Sequence, residues 1–171
     1  MKKSRKGFTF IETLLYIALV TIISGVLFSF GWNVIFLRTK TNVVNETTSS
    51  AKILQEKISN EIRSADSADF ENSIFNASEG KLVLNSLAEK IVIASESGKV
   101  SIKRGDEAPI FLHSNTSRVK NLVFTREIDS NNQSYYIGYT FLVEAYYPQA
   151  NGRFEYQYST DIKSGAEIRN H

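Results

Sequence analysis

The chain has 171 residues, 42% of them hydrophobic and 22% charged, with 20 Lys and Arg against 18 Asp and Glu for a formal charge of +2. Lys2, Lys3, Arg5 and Lys6 crowd the start, so the remainder holds 16 basic against 18 acidic residues and makes no global electrostatic case for nucleic acid. No cysteine is present, which excludes disulfides, thiolate nucleophiles and cysteine-ligated metals, and the length leaves room for an anchor plus one domain of roughly 100 residues.

The first predicted element is apolar. Residues 13–37 carry no charge. At ~1.5 Å rise each they make a helix of roughly 37 Å, enough to cross a ~30 Å hydrocarbon core with some tilt. Four basic residues precede the run and only Arg38 and Lys40 follow it closely. That bias predicts a single-pass protein of the cytoplasmic membrane with its N-terminus inside and its C-terminal domain extracytoplasmic. A secretory signal peptide fits poorly, because its apolar region spans ~7–15 residues and ends in a small-residue cleavage site. A plain signal anchor accounts for the run and the lysines but not for Glu12. A carboxylate within an apolar helix costs up to ~3 kcal/mol, less near the interface, and is a functional hypothesis by default.

The stretch Lys6-Gly7-Phe8-Thr9-Phe10-Ile11-Glu12, with its short basic leader and the uncharged run behind it, resembles the class III signal of type IV pilins and type II secretion pseudopilins. In that family a prepilin peptidase cuts after the glycine and methylates the new terminal amine. The resemblance covers residues 1 to about 40. It implies that residues 1–7 are a leader, that cleavage falls between Gly7 and Phe8, that Phe8 becomes the N-methylated first residue, and that Glu12 sets subunit registration. It also implies other pilin or pseudopilin subunits, the prepilin peptidase and an inner-membrane assembly platform as partners, with membrane lipid around the helix before assembly.

The physics of such an arrangement follows without the family. Cleavage after Gly7 would place an ammonium at Phe8 on the same helix as a carboxylate, both poor in water. Four residues separate them by ~6 Å along the axis. A neighbouring helix shifted by that distance brings its ammonium to this Glu12. At an effective dielectric near 20 the pair is worth roughly 4 kcal/mol at 4 Å before desolvation is subtracted. Its effect is therefore register, with dispersion between apolar helices supplying cohesion. Gly25 and Gly31 weaken the helix by ~1 kcal/mol each relative to alanine, and no proline kinks it. Tyr16 and Trp32 lie toward the two ends of the run, as interface-favouring aromatics do.

From about residue 41 the pattern becomes amphipathic. Ala51, Leu54, Ile58, Ile62 and Ala65 form one stripe at three- and four-residue steps, which predicts a helix packed on a core. With no proline before position 109, one helix can run from about Phe8 to Ser64, and the Asn/Ser/Thr-rich residues 42–50 are its candidate break. Residues 8–37 thus form a transmembrane or filament-core helix, 38–66 an amphipathic continuation, and 67–171 a β-rich extracytoplasmic domain. Strands are predicted at 81–85, 90–94, 100–104, 110–113, 119–128, 135–147 and 153–162, with turns at Ser97-Gly98, Gly105-Asp106, 129–133 and 148–152. The resulting class is α+β, a long N-terminal helix on a mainly antiparallel sheet. That order also resembles pilin architecture. Val119-Lys120-Asn121-Leu122-Val123-Phe124, the aromatic hairpin over 135–158 and the end Ile168-Arg169-Asn170 look most like a minor J-type pseudopilin or minor pilin. Within the hairpin, Tyr135, Ile137, Tyr139, Phe141, Val143, Ala145 and Tyr147 alternate toward the core, which leaves Tyr136 and Tyr146 outside.

Catalytic material is sparse. His113 and His171 are the only histidines, too few for a triad or a zinc cluster. Asp129, Asn131 and Asn132 suggest a calcium loop, but no later acid completes the cage, and a plain turn is the simpler reading. Lys99, Lys103, Arg104 and Lys120 form a candidate DNA patch, against which a solvated sheet face is the simpler alternative. The residues therefore predict no enzyme, no cofactor and no metal, and the resemblance implies a filament subunit serving a pilus, a secretion machine or competence. The alternative is an uncleaved, membrane-anchored extracytoplasmic binding module.

Overall fold

The computed structural model describes residues 9–86, 89–112, 114–128 and 135–168, the side chains of Ile128 and Tyr135 excepted. The chain divides into two compact units, Met1–Thr39 and Lys40–His171.

Helix α1 spans Phe10–Ser64. In the first unit it is long and apolar enough to cross a membrane, and no residue from 9 to 39 is buried. Hydroxyls in and just beyond the apolar run turn back on their own helix. Thr13 donates to the Thr9 carbonyl at 3.4 Å, Thr21 to that of Ile17 at 2.7 Å and Thr39 to that of Ile35 at 3.2 Å. Such back-bonding satisfies these hydroxyls within their own helix, without water. Phe28 stacks on Trp32, and Trp32 meets Phe36 edge-on, both at 6.0 Å between ring centroids, which gathers the aromatics near the end of the run.

In the second unit α1 continues through residues 42–50, so the candidate break there is not one. Val43 and Thr47 are buried there, so the stripe begins two turns earlier than Ala51 and proceeds as Val43, Thr47, Ala51, Leu54, Ile58 and Ile62. Packing of that stripe outweighs the poor helix propensity of Asn, Thr and Ser.

The β region forms two sheets rather than the single one expected. Strands β1 (Ser67–Ala68), β2 (Lys81–Asn85), β3 (Lys90–Glu96), β4 (Lys99–Arg104) and β5 (Ile110–Phe111) form one in sequential order. Strands β6 (Ser117–Ile128), β7 (Tyr135–Ala145) and β8 (Ser159–Glu167) form the other. Every pairing between these strands is antiparallel. The β3–β4 connection is a two-residue turn with positive φ at both Ser97 (52°) and Gly98 (77°), the requirement of a type I′ hairpin. In β6 the register slips between Lys120 and Val123, with Asn121 at φ 52°. That bulge turns Val119, Leu122 and Phe124 all inward, where simple alternation would have paired Val119 with Asn121.

One cluster unites Ala51, Leu54, Ile58 and Ile62 of the helical stripe with Leu82, Leu84, Ile91, Ile93, Val100 and Ile102 of the first sheet and with Leu122, Phe124, Ile137, Tyr139, Phe141 and Val143 of the second. The β1–β2 connection of the first sheet also meets β6 of the second directly. Glu79 bridges Leu122 in parallel, and the amides of Gly80 and Asn76 donate to the carbonyls of Leu122 and Phe124 at 2.7 and 2.9 Å. A Cβ on Gly80 would lie 2.7 Å from the Leu122 oxygen, so only glycine admits this approach. The Tyr139 hydroxyl is buried yet satisfied, 2.5 Å from Ser59 Oγ and donating to the Gln55 carbonyl at 2.9 Å.

The last predicted strand, 153–162, requires correction. Residues 148–156 make two short 3-10 turns, Pro148–Ala150 and Phe154–Tyr156, separated by Asn151 (φ 47°) and Gly152 (φ 75°), and β8 begins at Ser159 and runs to Glu167. Predicted strand 110–113 shortens to Ile110–Phe111, and 135–147 ends at Ala145. Ile168 is buried after β8, while Arg169 and Asn170 lie outside the described residues.

Candidate functional site

Two places concentrate polar chemistry beside apolar surface. At the start of α1, the backbone amide of Glu12 donates to Thr9 Oγ1 at 3.3 Å, and the amide of Thr13 donates to the Thr9 carbonyl at 3.2 Å. Thr9 is therefore the N-cap, and Thr9-Phe10-Ile11-Glu12 has the T-x-x-E spacing of a capping box. Glu12 is exposed at the positive end of the helix dipole, where a carboxylate is favoured. Gly7 and Phe8 lie outside the described residues.

The second place is the loop between β7 and β8, which is held by residues from the first turns of α1 within the second unit. Lys40 Nζ donates to the Phe154 carbonyl at 3.3 Å and to that of Gln157, and sits 4.6 Å from the centroid of the Phe154 ring. Two turns later Glu46 accepts hydrogen bonds from the hydroxyls of Thr116 and, at 2.6 Å, Tyr147. These bonds hold the Glu46 carboxyl below its ordinary value, the Thr116 bond contributing most and Tyr147 next. Burial first, and the Glu46 carboxylate second, push the Tyr147 phenol up to about 12.

Tyr147 packs against Tyr156 with centroids 5.1 Å apart, and the Arg118 guanidinium lies 3.4 Å over the ring of Tyr146. Between these rings opens a cleft of about 620 Å³ lined by Tyr146, Tyr147, Arg153, Tyr156 and Tyr158 among others. Glu155 is buried in the same loop at 7% exposure, and the Arg153 guanidinium faces its Oε1. A charge withdrawn from water in this way needs such a counter-ion.

The candidate nucleic-acid patch does not form one surface. Arg104 pairs with Glu61 of α1, Lys120 with Glu144 at 2.6 Å, and Lys99 sits 5.3 Å from the Phe111 ring centroid, while Lys103 stays exposed. Alternation along β4 sends Arg104 to the helix side of the sheet, away from Lys99 and Lys103. Among the described residues no group of three His, Cys, Asp or Glu could hold a metal. His113, His171 and the 129–133 turn lie outside them.

No protein-family model, curated protein or solved structure matches the chain.

Of Gly7, Phe8 and Glu12, only Glu12 falls within the described chain, and it belongs to the first unit while the cleft belongs to the second. Thr9 is absent from the residues singled out by sequence, although its signal, a threonine three positions before the acid, is plain. In sequence Lys40 and Glu46 look like flanking charges of a helix. Nothing local links them to Gln157 and Tyr147, more than 100 positions away. Tyr136 is exposed as expected, whereas Tyr146 is half-covered beneath Arg118.

Proposed function

We propose that the chain is a minor subunit of a type IV pilus or of a type II secretion-like pseudopilus. The observation that carries this reading is Glu12, a lone carboxylate at the N-terminal end of a helix that is otherwise uncharged through residue 37 and has no buried residue through residue 39. Prepilin peptidase removes residues 1–7 and methylates Phe8. The new ammonium of one subunit then meets Glu12 of its neighbour, the apolar helices pack together, and the domain built on the outer half of α1 is carried outside. The long helix with its antiparallel sheets suits that role, since the stripe from Val43 to Ile62 lets one element serve both as anchor and as the spine of the domain.

Mass spectrometry of the N-terminal peptide, from cells with and without the peptidase, tests this directly. The expected terminus is N-methyl-Phe8 in the first and Met1 in the second. A terminus at Met1 in both removes the filament reading and leaves the alternative, an anchored binding module, which the tyrosine-lined cleft favours.

A further inference from the structure

We infer that the loop around Phe154 is a second membrane contact, which places the Phe154 ring in the interfacial layer of the bilayer that α1 crosses. The inference rests on the membrane-spanning part of the proposed function and not on cleavage or filament assembly.

Phe154 is 77% exposed, the most exposed large apolar side chain among the described residues of the second unit. Its backbone is nonetheless fixed. It sits in a 3-10 turn that follows Asn151 and Gly152, both at positive φ, and Lys40 binds its carbonyl and that of Gln157. A loop held this firmly, with its one apolar ring turned out, lacks the usual explanation that the ring is exposed because the segment is loose.

Lys40 is the key to where that ring stands. It follows Leu37, the last residue of the uncharged run, by three positions. Chain connectivity alone keeps the two Cα atoms within about 11 Å. The ammonium that grips the loop therefore comes just after Arg38 at the end of the apolar run, and Phe154 lies against it with 4.6 Å between charge and ring centroid.

The chemistry around the ring is that of a bilayer interface. Lys40 offers positive charge to anionic headgroups, while Arg153 is balanced by Glu155, and Tyr147 and Tyr156 are amphipathic rings of the kind enriched at that depth. An exposed phenylalanine beside a cation is the arrangement by which peripheral segments hold to anionic lipid. Strand β5 differs. Ile110 and Phe111 are also exposed but lie on that short edge strand, with no chain link to the apolar run.

Single-tryptophan fluorescence on the full chain in vesicles of zwitterionic and anionic lipid, brominated at the upper acyl chain, tests the placement. The native chain has only Trp32, which reports the span itself. A chain carrying Trp32→Phe and Phe154→Trp reports the loop, and one carrying Trp32→Phe and Ile110→Trp reports a distant exposed site. The expected result is blue-shifted emission from position 154, quenched at least about two-fold by brominated lipid and more strongly in anionic vesicles, with position 110 unaffected. Quenching at position 32 without quenching at position 154 overturns the inference while leaving the span intact. Loss of quenching at both 32 and 154 overturns the span and the inference together. A blue shift at 154 that ignores bromine and grows with protein concentration assigns the ring to a second copy of the chain, and also overturns it.

Discussion

The Tyr147 phenol donates to the carboxylate of Glu46 at 2.6 Å, joining the end of the β7 hairpin arm to a helix turn 101 positions earlier. Each partner shifts the other in the direction that favours their hydrogen bond, a neutral phenol on a charged carboxylate.

This pair predicts two pH windows. The folded value of Tyr147 lies above its ordinary 10.0, so its contribution to stability is complete below pH 10 and is lost as pH rises toward about 12. Glu46 lies below its ordinary 4.5, so its contribution is present above that value and is lost as pH falls through the folded one. In an ultraviolet titration of the 8 tyrosines, one transition should come late and vanish in Tyr147→Phe. Glu46→Gln should move it down without restoring the ordinary value, because burial remains. Removing this exposed bond should cost about 1 kcal/mol. A late transition left unmoved by Glu46→Gln would remove the pairing.

Glu12 has two candidate roles, cap and charge partner, and one pair of variants separates them. Glutamine serves a capping box as well as glutamate does, but it carries no charge. Glu12→Gln should therefore preserve helix content and cleavage after Gly7 yet lower the amount of subunit recovered in sheared filaments as far as Glu12→Ala does. If Glu12→Gln assembles normally and only Glu12→Ala fails, the acid is a cap and nothing more.

Within the domain core, Ile58 is fully buried at 0% exposure while Ile53, on the same helix, is 49% exposed. Truncating Ile58 to alanine should cost about 2–5 kcal/mol, against at most about 0.5 kcal/mol for Ile53. Urea unfolding of the detergent-solubilised chain, followed by near-ultraviolet circular dichroism, measures both. Equal midpoints would refute the stripe.

Glycines should divide in the same way. Gly80→Ala drives a methyl against a backbone oxygen that cannot swing aside, for an expected loss of about 1–3 kcal/mol and a weakened link between the sheets. Gly25→Ala meets nothing within 4 Å and should raise helix stability by about 1 kcal/mol. Thermal unfolding of the domain should fall in the first variant and stay put in the second.

The helix was readable because its signal is redundant. The uncharged run declares one half and the stripe from Ala51 to Ile62 the other, and neither depends on distant residues. Its two extra turns at Val43 and Thr47 were hidden because a threonine on the buried face looks like a break. The β region was readable as strands but not as two sheets, since a period of two says that a strand has an inside without naming its neighbour. The stretch 153–158 alternates Arg-Phe-Glu-Tyr-Gln-Tyr and mimics a strand, yet Asn151 and Gly152 had already turned the chain and Lys40 held it in place. The true strand that follows, Ser-Thr-Asp-Ile-Lys-Ser-Gly-Ala-Glu, is polar because it forms an edge, with only Ala166 of its residues buried. The Lys40 and Glu46 contacts were out of reach for a simpler reason, that they join residues more than 100 positions apart.

In both sheets the strands stand in the order in which they are synthesised, with no crossover among the described strands. Within each sheet every strand after the first therefore finds its hydrogen-bonding mate already made and adjacent. A chain that emerges N-terminus first can complete these sheets stepwise, without holding any early strand unpaired until the last residue arrives.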